Sequence, residues 1–338
     1  MKLSYEQIRA MTWGAVRVAE EDGGVAFHRF TEEEERLYAA MKPEHSEKAL
    51  ASSGIRLVFR TDSPTLKLAA EFLTGTSRVY YSLDVAVNGA VVGSLDNYSP
   101  MELIPNYTTV QLPLGEAEAV FDLGEGEKTV TVYLPWSVRT VLRELSVADG
   151  CFAEPVRPAK TLLVYGDSIT QGYDAERPSC RYAALLANHL QAEEVNKAIG
   201  GEVFFPELAR CDTGCSPDYV SVAYGTNDWG KVTEQEFEEN CAAFYRILSE
   251  KYPAATIFAI TPIWRKDIPD FPERRSFHLV ADYIRRITAD LPNVRLIDGW
   301  DFVPKDESYF ADLRLHPNDK GFAEYAKHLC EAIDAQME

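Results

Sequence analysis

Residues 55–147 alternate apolar and polar positions with a period of two, as strands that bury one face do. In "GIRLVFRTD" Ile55, Leu57 and Phe59 share a face. In "YYSLDVAVNGAVVGSL" Leu83, Val85 and Val87 alternate with Ser82, Asp84 and Ala86, and in "KTVTVYLPW" Val130, Val132 and Leu134 line up. Asn88-Gly89 between two such runs predicts a tight hairpin, because both residues tolerate the positive φ that such turns need. Turn residues separate the runs at short intervals, so the first half reads as an all-β sandwich.

The rhythm changes after the linker-like "EPVRPAK" (154–160). Short apolar runs, "TLLVYG", "DYVSVAYG", "TIFAITP" and "VRLIDG", then alternate with longer helical patterns, which predicts βαβ units around a parallel sheet. One helix is clearly delimited. Thr233 and Glu236 form a capping box, Phe237, Cys241, Phe244, Tyr245 and Leu248 make an apolar stripe, and Pro253 closes it. The division expected is residues 1–153 for the β-sandwich and 154–338 for the α/β unit.

Length supports two compact units, since 338 residues exceed the usual size of one domain. A net charge of −19, from 34 basic and 53 acidic residues, repels nucleic acid and anionic membrane alike. The amino terminus shows no sustained apolar run of the kind that directs export, so a cytoplasmic location is expected. Several of the six cysteines fall in apolar helical patterns where a thiol packs well. "CDTGC" (211–215) lacks a second pair or a histidine at zinc-site spacing, so no metal or disulfide is expected there.

Three segments fall at the ends of predicted parallel strands: "GDSITQG" (166–172), "GTND" (225–228) and "LHPND" (315–319). Such strand ends open onto the crevice of an α/β sheet. A hydroxyl becomes nucleophilic beside an imidazole that takes its proton, and fixed N–H donors stabilise the resulting oxyanion better than water does. In this order on a βαβ chain, the three segments resemble the SGNH (GDSL-type) hydrolase family over roughly residues 160–335.

The resemblance implies a flavodoxin-like three-layer α/β/α domain that hydrolyses esters without a cofactor. It casts Ser168 as nucleophile and first oxyanion donor, Asn227 as another donor, and His316 as general base. "NKAIGGE" supplies the remaining donor, as Gly201 by preference or as Gly200. The family places an aspartate three positions before its histidine, but here position 313 is leucine and the aspartate is Asp312. Three readings follow: a one-residue bulge lets Asp312 orient the imidazole, which is favoured; a backbone carbonyl does so; or another acid takes the role.

Candidate substrate contacts are Trp229, Trp264 and Arg265 at the crevice rim, with Asp167 and Gly200 in the turns beside the nucleophile and the oxyanion donors. Asp167 and Asp228 also read as turn-stabilising carboxylates, Arg181 as surface packing, and His28, His45, His189, His278 and His328 as structural. The β half resembles the jelly-roll-like sandwiches joined to this catalytic domain in some carbohydrate esterases. Together these features lead to an expected esterase that removes a short acyl group, acetate foremost, from a carbohydrate or glycoside. The partner is then a small or oligosaccharide ester, with homo-oligomerisation left open. The alternatives are a lysophospholipase or thioesterase, and a carbohydrate-binding protein with impaired catalysis.

Overall fold

The structure, a computed structural model, describes residues 1–99, 101, 103, 110–268 and 276–337. The amino-terminal strands are β1 (Thr12–Trp13), β2 (Arg17–Glu21), β3 (Gly24–His28), β4 (Arg56–Thr61), β5 (Thr65–Leu73), β6 (Ser82–Val87), β7 (Ala90–Asp96), β8 (Gly115–Asp122), β9 (Lys128–Tyr133), β10 (Arg139–Val147) and β11 (Ala153–Pro155). They form two antiparallel sheets, one in the order β1-β4-β9-β6-β7 with β11 beside β4, the other β2-β3-β10-β5-β8. Inward residues of both sheets, Leu57, Phe59, Leu68, Phe72, Val85, Val130, Val132 and Leu145 among them, fill the core between them. The hairpin falls where the sequence puts it, with φ of 48° at Asn88 and 86° at Gly89.

The carboxyl-terminal strands, β12 (Lys160–Gly166), β13 (Ala192–Asn196), β14 (Tyr219–Ala223), β15 (Thr256–Ile260) and β16 (Val294–Ile297), form a parallel sheet in the order β13-β12-β14-β15-β16. Along β12 the side chains divide by period two. Leu162 and Val164 pack with the helices Tyr182–His189 and Asp319–Met337, while Leu163 and Tyr165 pack with Pro206–Arg210, Glu234–Lys251 and His278–Thr288. This is a three-layer α/β/α unit of flavodoxin-like strand order, and its switch point lies between β12 and β14. The Thr233–Glu236 capping box is present at the start of Glu234–Lys251. No described helix is long and apolar enough to cross a membrane.

The two units are stitched by buried polar contacts. The segment between β3 and β4 carries the helix Glu32–Met41, and its Phe30, Tyr38 and Ala49 join the apolar layer of the parallel sheet. Fully buried Arg29 donates to the carbonyls of Ala51, Asn196 and Ala198. Arg56 on β4 reaches Asn188 Oδ1 and the carbonyl of Ala192. Residues 154 and 155, expected in the linker, are instead paired with β4.

Arg181, expected on the surface, is a buried ion instead. Its two terminal nitrogens lie 2.8 and 3.0 Å from the Glu194 carboxylate, and Asn196 Nδ2 adds a third bond to Glu194 at 2.7 Å. Both charged side chains are only 2% exposed, so loss of one partner strands the other in a dry interior. Glu194→Leu should therefore cost about 3–5 kcal/mol of folding stability. Urea unfolding checks this, and Arg181→Met/Glu194→Leu should lose less than the single variant; equal or larger loss in the pair would contradict the account.

Candidate active site

β12 ends at Gly166, and Asp167 turns the chain into the short helix Ser168–Gln171 by accepting the Ile169 N–H at 3.0 Å. The next residue, Gly172, has φ of 110°, and a side chain there would strike Arg181. Ser168 is thus held at the carboxyl end of the second sheet position, facing the switch point.

Its Oγ lies 2.8 Å from His316 Nε2. The other imidazole nitrogen, Nδ1, faces two carboxylates: Asp312 Oδ2 at 2.9 Å and Asp174 Oδ2 at 3.2 Å. When the imidazole is neutral, acceptors on that side place its proton on Nδ1, which leaves Nε2 to accept from the serine hydroxyl. Asp312 is anchored by its own loop, since its Oδ1 accepts the N–H groups of Arg314, Leu315 and His316. The additional residue between acid and imidazole is absorbed at Leu313, whose φ of 63° is left-handed. That is the one-residue bulge among the three sequence readings.

Asp174 is a residue the sequence reading missed. Its carboxylate is fully buried and is gripped by Arg78 of the sandwich, Nε to Oδ1 at 2.7 Å and Nη2 to Oδ2 at 3.1 Å, with Tyr80 hydroxyl at 3.3 Å. Burial alone would push the His316 pKa down, but bonding and charge from Asp174 and Asp312 outweigh it and raise the pKa to about 9. Asp174 and Asp312 are both held below the usual carboxylate range; burial opposes this, and the imidazole outweighs it. One carboxylate oxygen each of Asp174 and Asp312 and one ring nitrogen of His316 lie within 4.8 Å of one another.

The loops after β13 and β14 carry the expected donors. Gly200 N–H is taken by Gln171 Oε1 at 2.7 Å, and a Cβ there would meet the Tyr173 ring at 2.6 Å. Gly201, at φ 91°, makes no N–H bond to a described residue, which leaves its donor open. Asn227 Nδ2 spends one hydrogen on the Glu202 carbonyl at 3.0 Å and keeps the second. Lys48 and Lys231, also missed, donate to the carbonyls of Gly200 and Gly201, each at 2.6 Å.

The blocks that build this arrangement match a family model, the GDSL-like lipase/acylhydrolase family, over residues 164–323. The chain carries a GDSL-like lipase/acylhydrolase domain. No curated protein matches the sequence. Among solved structures, the salicylyl-acyltransferase SsfX3 from a tetracycline biosynthetic pathway is similar at TM-score 0.79 and 22% identity, covering 96% of this chain and 94% of that one. A family two carbohydrate esterase from Clostridium thermocellum, in complex with cellohexaose, is similar at TM-score 0.67 and 15% identity, covering 96% and 99%. One from Cellvibrio japonicus follows at 0.65 and 17%, covering 100% and 98%. These likenesses are of fold, and they extend over the sandwich as well as the GDSL-like domain.

The rim expected for this GDSL-like domain differs from the structure. Trp229 is 3% exposed, packed edge-on against Phe277, with the Arg265 guanidinium 5.3 Å above its ring. Arg265 is itself locked onto Asp267 at 2.5 and 2.8 Å and onto the Thr226 carbonyl. Neither offers a face to a ligand, because aromatic and guanidinium surfaces beside a crevice can stack on each other instead. Trp264 is half-buried against Phe310. Asp167 is buried as a helix cap, with its pKa raised to about 6 by burial. Asp228 holds a turn by accepting the N–H groups of Phe204 and Gly225, and burial raises it to about 7.

An NMR titration of the histidines should find His316 protonated at neutral pH and losing its proton near pH 9. Because this pKa lies above the unfolded value of 6.5, protonated His316 stabilises the fold fully below that value, and the contribution is lost as pH rises through 9. A titration of His316 at or below 6.5 would contradict the two-carboxylate geometry.

Proposed function

We propose that the chain is a serine esterase that removes short acyl groups, acetate foremost, from carbohydrate or glycoside esters. The observation that carries the proposal is the row Ser168 Oγ, His316 Nε2, His316 Nδ1, Asp312 Oδ2, joined at 2.8 and 2.9 Å. In this reading Ser168 attacks the ester carbonyl while His316 takes its proton, and the carboxylates stabilise the imidazolium that forms. Negative charge on the former carbonyl oxygen meets the N–H groups of Ser168 and Gly201 and the amide of Asn227. His316 returns its proton to the leaving alcohol, then activates the water that releases the acid.

Support for a small acyl group comes from recession of the nucleophile, which is only 8% exposed. Support for a carbohydrate comes from the two-unit fold shared with the family two carbohydrate esterases, one of them bound to cellohexaose. Acyl transfer to another hydroxyl would use the same acyl-enzyme, so product analysis belongs to the test.

Ser168→Ala should lose turnover by a factor approaching about 10⁶, whereas Asn227→Ala should lose about 10² to 10³ in kcat with KM nearly unchanged. Across esters of one alcohol, kcat/KM should fall from acetate to octanoate, and acetylated sugars should outperform simple alkyl acetates. Wild-type rates in Ser168→Ala would remove the assignment, and preference for octanoate would replace it with a lipase or thioesterase.

A further inference from the structure

We propose that Arg78 of the β-sandwich is a positioning residue of the hydrolase site, fixing Asp174 as a second carboxylate on His316 so that two independently mounted acids orient one imidazole. The proposal rests on the reading of Ser168 and His316 as nucleophile and base.

The mounts are separate. Asp312 belongs to the loop that carries His316 and is fixed by three N–H groups of that loop. Asp174 belongs to the turn after the Ser168 helix, at a left-handed φ of 70°, and is anchored from the sandwich by the paired bond from Arg78, with the Tyr80 hydroxyl beside it. A guanidinium fork matches both oxygens of a carboxylate and so sets the plane of the group as well as its place. The Arg78 guanidinium also lies 5.1 Å over the Tyr173 ring, and that ring lies 5.7 Å from the His316 ring at 30°. Guanidinium, phenol and imidazole thus form a packed column beside the Asp174 bridge.

The charge balance explains why the cation is needed. A carboxylate with 0% side-chain exposure cannot stay ionised without compensation, and His316 supplies a full positive charge only when protonated. Arg78 keeps Asp174 anionic throughout the cycle, including the step in which His316 is neutral. The charged groups facing the imidazole are Asp174 and Asp312 at Nδ1, Arg78 behind Asp174, Arg314 3.9 Å from Asp312, and Asp167 beneath Ser168.

Redundancy is the consequence. With either acid left in place the imidazole keeps its tautomer, so Asp174→Asn and Asp312→Asn should each lose far less than Asp174→Asn/Asp312→Asn. The pair should approach the loss of about 10⁴ that accompanies a wrong tautomer, exceeding the product of the singles. Asp174→Asn should also move the rising limb of the kcat/KM pH profile down by about one unit or more, because a nearby anion is removed from His316. Arg78→Met should lower kcat by up to about 10² at unchanged KM, and Arg78→Lys should recover part of that loss.

The test is steady-state hydrolysis of nitrophenyl acetate across pH by the full-length chain and these variants, each checked for native circular dichroism. If Ser168→Ala stays active, the catalytic reading itself fails. If Ser168→Ala is inactive while folded Asp174→Asn and Arg78→Lys keep the parent kcat and pH profile, this proposal fails and the catalytic reading stands. Additive losses in the double aspartate variant would likewise overturn it.

Discussion

A fully buried carboxylate, Asp174, sits between an imidazole on one side and a guanidinium on the other, and much of the molecule is arranged around keeping that charge compensated. The imidazole comes from the loop that precedes the last helix and the guanidinium from the sandwich, so the two units cannot separate without exposing or stranding an ion. Arg29 and Arg56 reinforce the same junction, each crossing into the α/β unit to donate to backbone carbonyls there. The sandwich is therefore part of the site's scaffold.

The parallel sheet contributes the other half of the geometry. Reversal of strand order between β12 and β14 opens a crevice at their carboxyl ends, and the loops after β12, β13 and β14 bring Ser168, Gly201 and Asn227 to it. Each loop is fixed by a buried acid or amide that accepts or donates backbone bonds: Asp167 caps the serine helix, Gln171 takes Gly200, and Asp228 ties Phe204 to Gly225. These groups fix the loops, as electrostatic preorganisation by the proposed oxyanion donors would require.

What the sequence makes legible follows from how locally each feature is encoded. The hairpin at Asn88-Gly89 and the capping box at Thr233 depend on neighbouring residues, and both were read correctly from them. Ser168 and Asn227 stand in short blocks just after β12 and β14, whereas the His316 block, expected at a strand end, lies in the loop well beyond β16, and the fold brings its imidazole to Ser168. Asp174 lies six residues beyond Ser168 in the same stretch, but a lone acid in a turn has no period or spacing to mark it. Arg78 becomes meaningful only through a partner 96 positions away. Trp229 and Arg265 misled for the opposite reason, since their place beside the crevice is local while their burial against each other is tertiary.

The central claim is that Ser168 is the activated nucleophile of this arrangement, and covalent trapping tests it most directly. The chain would be treated with a serine-directed phosphonate and analysed by intact mass and peptide mapping. One adduct per chain is expected, on the peptide that contains Ser168, with labelling strongly slowed in His316→Ala. An adduct on another residue, or no adduct on natively folded protein, would contradict it.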